Sequence, residues 1–466
     1  MYTWIERSAL ALALGCASFA AAAADGDLDT TYGDGGFRLS GVLDASAQLP
    51  VGMAMQPDGK ILICGGEGAS PNTDFYVARF TADGELDTTF NFDGRTTIDF
   101  GGIDDVCTGL ALQSDGKIVV GGSTSGTGVA DFAVARLNAD GTLDTAGFGA
   151  GTGKAVVAFD LGGSNFDFAD AVAIKADGKI VVAGEAATTA NGFDFAVLQL
   201  NPDGSRDTSF NLTGRATIGF DLASSTSKDD TATRVAIDSA GRIVLSGFAD
   251  GGASNVSDFA VARLLANGTP DPDFSADGKT TVAFDLGGAT GGNGDIAYAL
   301  ALQRDGRILI AGAADSSTTT PTQNQDMAIA RLLPDGSLDS SFGLGGRATI
   351  VFDLAPNGQD VVLAVGEEAN GRIMLGGAAV LAPSSIAAAA VRLRATGEPD
   401  ASFGTLGKRT YDFGQTIPGA QYFDGIAFTA DNRIVYAGAL NVVDNTHIDF
   451  YTARVLNDLL FASGFE

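Results

Sequence analysis

The chain has 466 residues, 45% of them apolar and 18% charged, with 64 glycines and 12 prolines. That mix excludes a disordered chain and, lacking a glycine period, a collagen-like one; frequent glycine suits many short strands joined by tight turns. The net charge of −29 disfavours nucleic acid and anionic lipid as partners and favours cations or basic proteins.

Residues 1–24 read as an export signal: Arg7 leads into "ALALALGCASFAAAA", and Ala22-Ala23-Ala24 offers a small-residue cleavage site before Asp25. The apolar run is too short and Ala-rich for a membrane anchor, and no later stretch approaches spanning length. Lipidation at Cys16 is disfavoured because "ALG" lacks the expected Leu three residues before it. The expected location is secreted, periplasmic or cell-surface.

From residue 25 to 455 the chain repeats itself. "LQSDGKIVVGG" (112–122) returns as "IKADGKIVVAG" (174–184) and "LQRDGRILIAG" (302–312). This turn has seven copies, at Asp58-Gly59, Asp115-Gly116, Asp177-Gly178, Ala240-Gly241, Asp305-Gly306, Asn370-Gly371 and Asp431-Asn432, each followed by Lys or Arg and then Ile. The period is roughly 60 residues. Each unit holds four β-rich runs, A to D; in the second they are "GLALQ" (109–113), "KIVVGG" (117–122), "DFAVARL" (131–137) and "KAVVAFD" (154–160). Asp-Gly between A and B is a hairpin signal, since Gly supplies positive φ without strain. In the C–D connection a later Asp (Asp29, Asp87, Asp144, Asp207, Asp271, Asp339, Asp400) is expected to cap the turn. The aromatic after it (Tyr32, Phe90, Phe148, Phe210, Phe274, Phe342, Phe403) is expected to plug the gap between units.

Seven such units predict an all-β fold, a seven-bladed β-propeller of four-stranded antiparallel blades. A D-type run, "GGFRLSG" (35–41), precedes any A run, and the last unit (421–455) lacks D. The N-terminal strand is therefore expected to complete the last blade and close the ring, hiding two sheet edges. An open solenoid would not need such complementary ends. Residues 456–466 form a tail with no assigned role.

"DFAVARLNADGTLDT" with "ALALQSDGKIVVGG" resembles the bacterial delta-60 repeat. That resemblance implies a secreted or surface propeller of unknown function; it covers about 25 to 455 and is silent on chemistry. "IAAAAVRL" in the sixth unit and "DNR" in the seventh depart from the pattern.

The A–B turn keeps one length, whereas the B–C loops (121–131 against 312–326) and D–A loops (99–105 against 285–295) vary. These loops share one face, which is the expected binding surface. At the start of strand A stand Asp105, Asp167, Asp230, Asp295 and Asp360, with Gln48 and Gln421 in the remaining copies. One reading makes these five carboxylates a calcium-binding rim of the channel mouth; the other has each bond nearby backbone N–H groups. "NADGTLD" (138–144) has part of a calcium-loop spacing without its terminal Glu, and a plain turn suits it better. No cofactor other than calcium is expected.

Cys64 and Cys107 are the only cysteines after residue 24. Two readings stand, a disulfide between adjacent units or two small buried apolar residues. His447 is the only histidine, so a His-based triad or zinc site has nothing to build on. The leading expectation is a monomeric, non-enzymatic binding module for an unidentified protein or glycan, with no nucleic acid and no membrane span. The alternatives are a glycan hydrolase using carboxylates such as Asp167 or Asp230 at the channel mouth, and a purely structural surface protein.

Overall fold

The structure, a computed structural model, describes residues 24–41, 52–68, 71–126, 128–188, 192–220, 222, 228–251, 256–286, 293–316, 324–352, 354, 358–382, 385–413, 420–442 and 447–457. The export segment with Cys16, Gln48, the His447 side chain and all but the first two residues of the tail lie outside the described residues.

The strands in chain order are β1 (Phe37–Leu39), β2 (Gly52–Met55), β3 (Ile61–Glu67), β4 (Asp74–Phe80), β5 (Arg95–Ile98), β6 (Asp105–Leu112), β7 (Ile118–Ser125), β8 (Ala130–Leu137), β9 (Lys154–Val157), β10 (Asp167–Ile174), β11 (Ile180–Thr188), β12 (Gly192–Leu200), β13 (Arg215–Ile218) and β14 (Asp230–Ile237). They continue with β15 (Ile243–Asp250), β16 (Val256–Leu264), β17 (Lys279–Val282), β18 (Asn293–Leu302), β19 (Ile308–Asp315), β20 (Gln325–Leu332), β21 (Arg347–Ile350), β22 (Val361–Glu367), β23 (Ile373–Ala382), β24 (Ser385–Leu393), β25 (Lys408–Tyr411), β26 (Gln421–Phe428), β27 (Ile434–Val442) and β28 (His447–Val455).

They pair as repeated four-stranded antiparallel sets. β2–β5, β6–β9, β10–β13 and β22–β25 each form one sheet in chain order. β14–β17 and β18–β21 form two further sets, joined into a single hydrogen-bonded sheet where Val256 and Ser257 run parallel to Asn293 and Gly294. Single parallel bridges at Thr73–Asp104, Leu161–Thr188, Gln325–Gln359 and Ile386–Ala420 mark similar stitches elsewhere; β18, at ten residues, carries this one further. In the last sheet β26–β28 take β1 as their fourth strand, with Phe37, Arg38 and Leu39 opposite Ala453, Thr452 and Tyr451.

The second and third strands of each set are almost wholly buried. Each set is covered on both faces, so these strands read as continuous apolar runs rather than as alternation. Seven hydrophobic clusters lie between sets among the described residues. One packs Val119 and Phe132 against Ile180 and Leu198. Another packs Ile61 and Tyr76 against Val435 and Phe450.

The A strand starts earlier than its apolar run suggests, at Asp105 rather than 109, because it carries a β-bulge between Cys107 and Gly109. The bulge recurs at Asp170, Thr233, Tyr298, Leu363 and Asp424. Each bulge inserts one unpaired residue and re-aims its side chain.

The turn residues form one recurring unit. The A–B turn places its second residue at positive φ, as at Gly116 (84°) and, in the seventh copy, Asn432 (65°). The Lys or Arg that follows reaches the C–D aspartate at 2.5–3.4 Å, from Lys60–Asp87 through Arg433–Asp29. That contact puts both turns at one end of the sheet. The same aspartate accepts from the arginine of the third strand at 2.7–3.0 Å, or from Gln199 in the third unit. It also caps its own turn, as Asp87 does for the Thr89 amide. Burial alone would raise the Asp87 carboxyl, but Thr89, Lys60 and Arg79 hold it at about 2.

Each arginine guanidinium lies 4.6–5.0 Å from the ring of the plug aromatic. That ring fills the space of a glycine in the next unit: a Cβ on Gly141 would meet Phe90 at 2.8 Å, and one on Gly26 would meet Phe403 at 3.1 Å. The expected plug between neighbours is therefore a glycine–aromatic contact.

Candidate functional site

The five strand-opening aspartates are almost fully buried, at 0–3% exposure. Each accepts with one carboxylate oxygen from the backbone N–H of the phenylalanine two residues past the end of the preceding D strand: Phe100 to Asp105 (2.7 Å), Phe159 to Asp167 (2.6 Å), Phe220 to Asp230 (2.6 Å), Phe284 to Asp295 (2.6 Å) and Phe352 to Asp360 (3.0 Å). Gln421 accepts from Phe413 with its amide oxygen at 3.4 Å, so a neutral acceptor fills the same position. Burial pushes Asp167 up to about 6 and Asp295 up to about 7, with nearby carboxylates adding to both. Among the described residues the one group of three carboxylates close enough to share an ion is Asp74, Asp99 and Asp105. It contains a single member of the five. "NADGTLD" is a turn closed by Gly141 N–H to Asn138 O, and its Asp144 is taken by Arg136 and Lys117. Cys64 and Cys107 form a disulfide, with their Cα atoms 5.9 Å apart.

Charge also collects inside the molecule. A cavity of about 220 Å³ is lined by the first strand of every set, from Gly52 and Met53 of β2 to Gly425 and Ile426 of β26. Its only charged lining residues are Asp170, Arg234 and Asp424. Asp170 and Asp424 are the extra residues of two bulges, and Arg234 directly follows a third; the bulge aims them inward. Arg234 donates to the Thr233 carbonyl at 2.9 Å. Burial raises Asp170 to about 8, Glu185 adds to this, and Arg234 opposes it. Burial raises Asp424 to about 7, again against Arg234.

At the loop end of strand A, Phe166 and Phe168 stack at 5.9 Å and Phe193 tilts against Phe168 at 6.1 Å. Phe168 is 37% exposed and pairs across the sheet with Glu185. The Thr231 hydroxyl donates to Glu185. Ile103, Leu161, Leu222, Leu286 and Leu354 of the D–A loops add half-exposed aliphatic side chains at the same end. Sequence reasoning missed Asp170, Arg234, Asp424 and this aromatic group. For the three charged residues the signal was present: Asp170 and Asp424 stand where other units carry Thr, Leu or Tyr, and Arg234 where they carry Gly or Ala.

The opposite end surprises differently. Phe92, Leu212 and Leu344 follow the plug aromatic by two residues and are almost fully exposed. Phe92 and Leu212 hold positive φ, 71° and 63°, a region bulky residues avoid.

Among the described residues no helix is long and apolar enough to cross a membrane. No curated protein matches the chain. Several solved structures align at low likeness: a protein of unknown function from Dyadobacter fermentans (10% identity, 90% of this chain and 100% of that one, TM-score 0.43), the polysaccharide lyase Uly1 (10%, 90% and 91%, 0.47) and Sqt1 from Chaetomium thermophilum (13%, 90% and 98%, 0.44). Likeness at that level carries no function across. The family model "Domain of unknown function (DUF5122) beta-propeller" matches residues 56–90, 113–146, 175–210, 241–274 and 303–342. In these five stretches the chain is similar to a β-propeller repeat family of unknown function.

Proposed function

We propose that the chain is an exported seven-bladed β-propeller of the delta-60 type, its ring closed by β1, that binds a glycan at the mouth of its central channel. Support for the ring comes from the seven inter-set clusters, the cavity lined by all seven first strands and the pairing of β1 with β28. Support for export comes from the disulfide, which persists in oxidising compartments.

The binding reading rests on one juxtaposition. The partly exposed Phe166–Phe168–Phe193 group stands at the loop end of strand A, beside Glu185, and Asp170 and Arg234 follow it inside the channel. Aromatic faces suit the apolar faces of sugar rings, while a few convergent polar groups fix orientation. A glycan array followed by titration calorimetry tests it. A ligand is expected whose affinity falls at least tenfold in Phe168→Ala and in Arg234→Gln. A panel with no ligand, or a ligand indifferent to both changes, overturns the reading.

A second reading has one specific support. Asp170 and Asp424 line one cavity, and burial raises both carboxyls above the ordinary carboxylate range, so either can keep the proton that a carboxylate hydrolase donates. Product release that stops in Asp424→Asn, with binding retained, would favour it.

A further inference from the structure

We propose that the channel cavity takes the terminal ring of a neutral glycan, held by hydroxyls that accept from Arg234 and donate to Asp424. This rests on the glycan reading above and adds which part of the ligand enters and what charge it carries.

Gly52, Gly109, Ala171, Ala299, Ala364 and Gly425 share one register of the first strand in six sets, and all line the cavity. Small residues suit this register because neighbouring first strands approach closely. A Cβ on Gly109 would meet the Val172 amide nitrogen at 2.9 Å, and one on Gly425 the Met53 Cβ at 2.5 Å. The fourth set places a long side chain there instead, Arg234, opposite Ser246. Its guanidinium donates to the Thr233 carbonyl at 2.9 Å and to the Leu363 carbonyl, in the sixth set, at 3.4 Å. It therefore lies in the bore of the channel and stops a chain from threading through. The cavity holds about 220 Å³, less than the roughly 300–1,000 Å³ of pockets that enclose a whole drug-sized ligand. One ring at the end of a glycan suits that space.

The bulge residue just before this register supplies an independent observation. Thr108 and Thr233 use the position as a stitch: their hydroxyls donate to the Ala169 and Ala297 carbonyls of the next set at 2.6 and 2.7 Å. Asp424 stands at the same place and is 8% exposed, yet its Oδ2 has no hydrogen-bond partner. A buried acceptor left without a donor is costly to the fold alone. Arg234 does not relieve it. Among the described residues it forms no ion pair with Asp424 or Asp170, although it is near enough for its charge to oppose the upward shift of both carboxyls.

A group that both accepts and donates bridges a guanidinium and a carboxylate, and a hydroxyl is such a group. A sugar ring presents several side by side. The charge of the lining selects a neutral ring. Two carboxyls face one guanidinium, and Glu185 stands at the mouth across the sheet from Phe168. A uronate or sulfated ring would bring a further negative charge into a buried space that already holds two carboxyls.

The test is a ligand-observed NMR titration of the full chain with glucose, galactose and mannose, each beside its uronate, run together with the glycan array. At least one neutral sugar should bind saturably and at least tenfold tighter than its uronate. That binding should weaken at least tenfold in Asp424→Thr and in Arg234→Ala. Both substitutions install the residue that other sets carry at the same register, so thermal unfolding should stay at or above wild type and separate lost binding from lost fold. A uronate that binds as tightly as its neutral sugar overturns the inference, as does sugar binding unchanged in Asp424→Thr or no saturable sugar binding. In each of those cases an array ligand that still depends on Phe168 leaves the glycan reading standing, whereas an array without any ligand removes both.

Discussion

Arg454 donates from Nε to Asp29 Oδ2 at 2.7 Å, across 425 positions of sequence. The same contact joins residues only eight apart in Arg79–Asp87, Arg136–Asp144, Arg263–Asp271, Arg331–Asp339 and Arg392–Asp400. The N-terminal segment therefore supplies, from a distance, the turn that other units supply locally. Asp29→Ala should then behave like Asp87→Ala. Each leaves a buried arginine without its partner, at a cost of about 3–5 kcal/mol. Urea denaturation of both variants checks this; a silent Asp29→Ala beside a damaging Asp87→Ala would mean that the last unit does not depend on the N-terminal segment.

The glycine–aromatic contact is equally specific. Gly141 sits at φ +89°, and a Cβ there would meet the Phe90 ring at 2.8 Å. Gly141→Ala combines backbone strain with overpacking, so roughly 2–4 kcal/mol should be lost. Gly116 is the control: its φ is similar at +84°, but the nearest atom to an added Cβ is 3.7 Å away. Gly116→Ala should cost only the backbone part, about 1 kcal/mol. Equal losses at the two positions would show that the plug contributes nothing beyond conformation.

These relationships explain what the sequence could disclose. The turns, the plug aromatics and the capping aspartates repeat at fixed spacing, so the four-stranded sets were legible from "DGK" and "DFAVARL" alone. The bulge in strand A was not, because it changes pairing without changing the apolar pattern. For that reason the A strand looked shorter than it is, and nothing in the pattern turned Asp170 and Asp424 inward. The constant register of the five strand-A aspartates was legible in the sequence, and so was the backbone bond it serves: each carboxylate accepts the N–H of its own Phe. The cluster that did form needed Asp99, a residue outside the repeat pattern.

The disulfide can be tested by its loop. Cys64 and Cys107 are 43 positions apart. In the chain-entropy model a loop of that length contributes about 4 kcal/mol. Both sulfurs lie in the core shared by the first two sets, so the Cys64→Ala/Cys107→Ala double variant should lose up to about that amount. Wild type measured under reducing conditions should lose a similar amount. A variant as stable as oxidised wild type would mean that packing alone holds this seam.

The pH dependence runs in opposite directions at the two ends of a sheet. Asp87 is held at about 2 in the folded chain, so its contribution is present above the ordinary carboxylate range near pH 4 and is lost as pH falls towards 2. Asp295 is raised to about 7. Its folded form keeps a proton that the unfolded chain releases near pH 4, so stability falls as pH rises from about 4 to 7. Asp295→Asn removes that decline and keeps an acceptor for the Phe284 N–H, as Gln421 does for Phe413. Denaturation at pH 5 and pH 8 should show wild type weakening more than Asp295→Asn, which keeps the decline from Asp167, Asp170 and Asp424 but not that from position 295, with the variant at least as stable as wild type at pH 8. Asp295→Ala leaves the N–H without its acceptor and should cost about 1–3 kcal/mol at both pH values. An Asp295→Asn variant that is less stable than wild type at pH 8 would mean that the buried carboxylate is ionised and compensated, against its burial and its acidic neighbours.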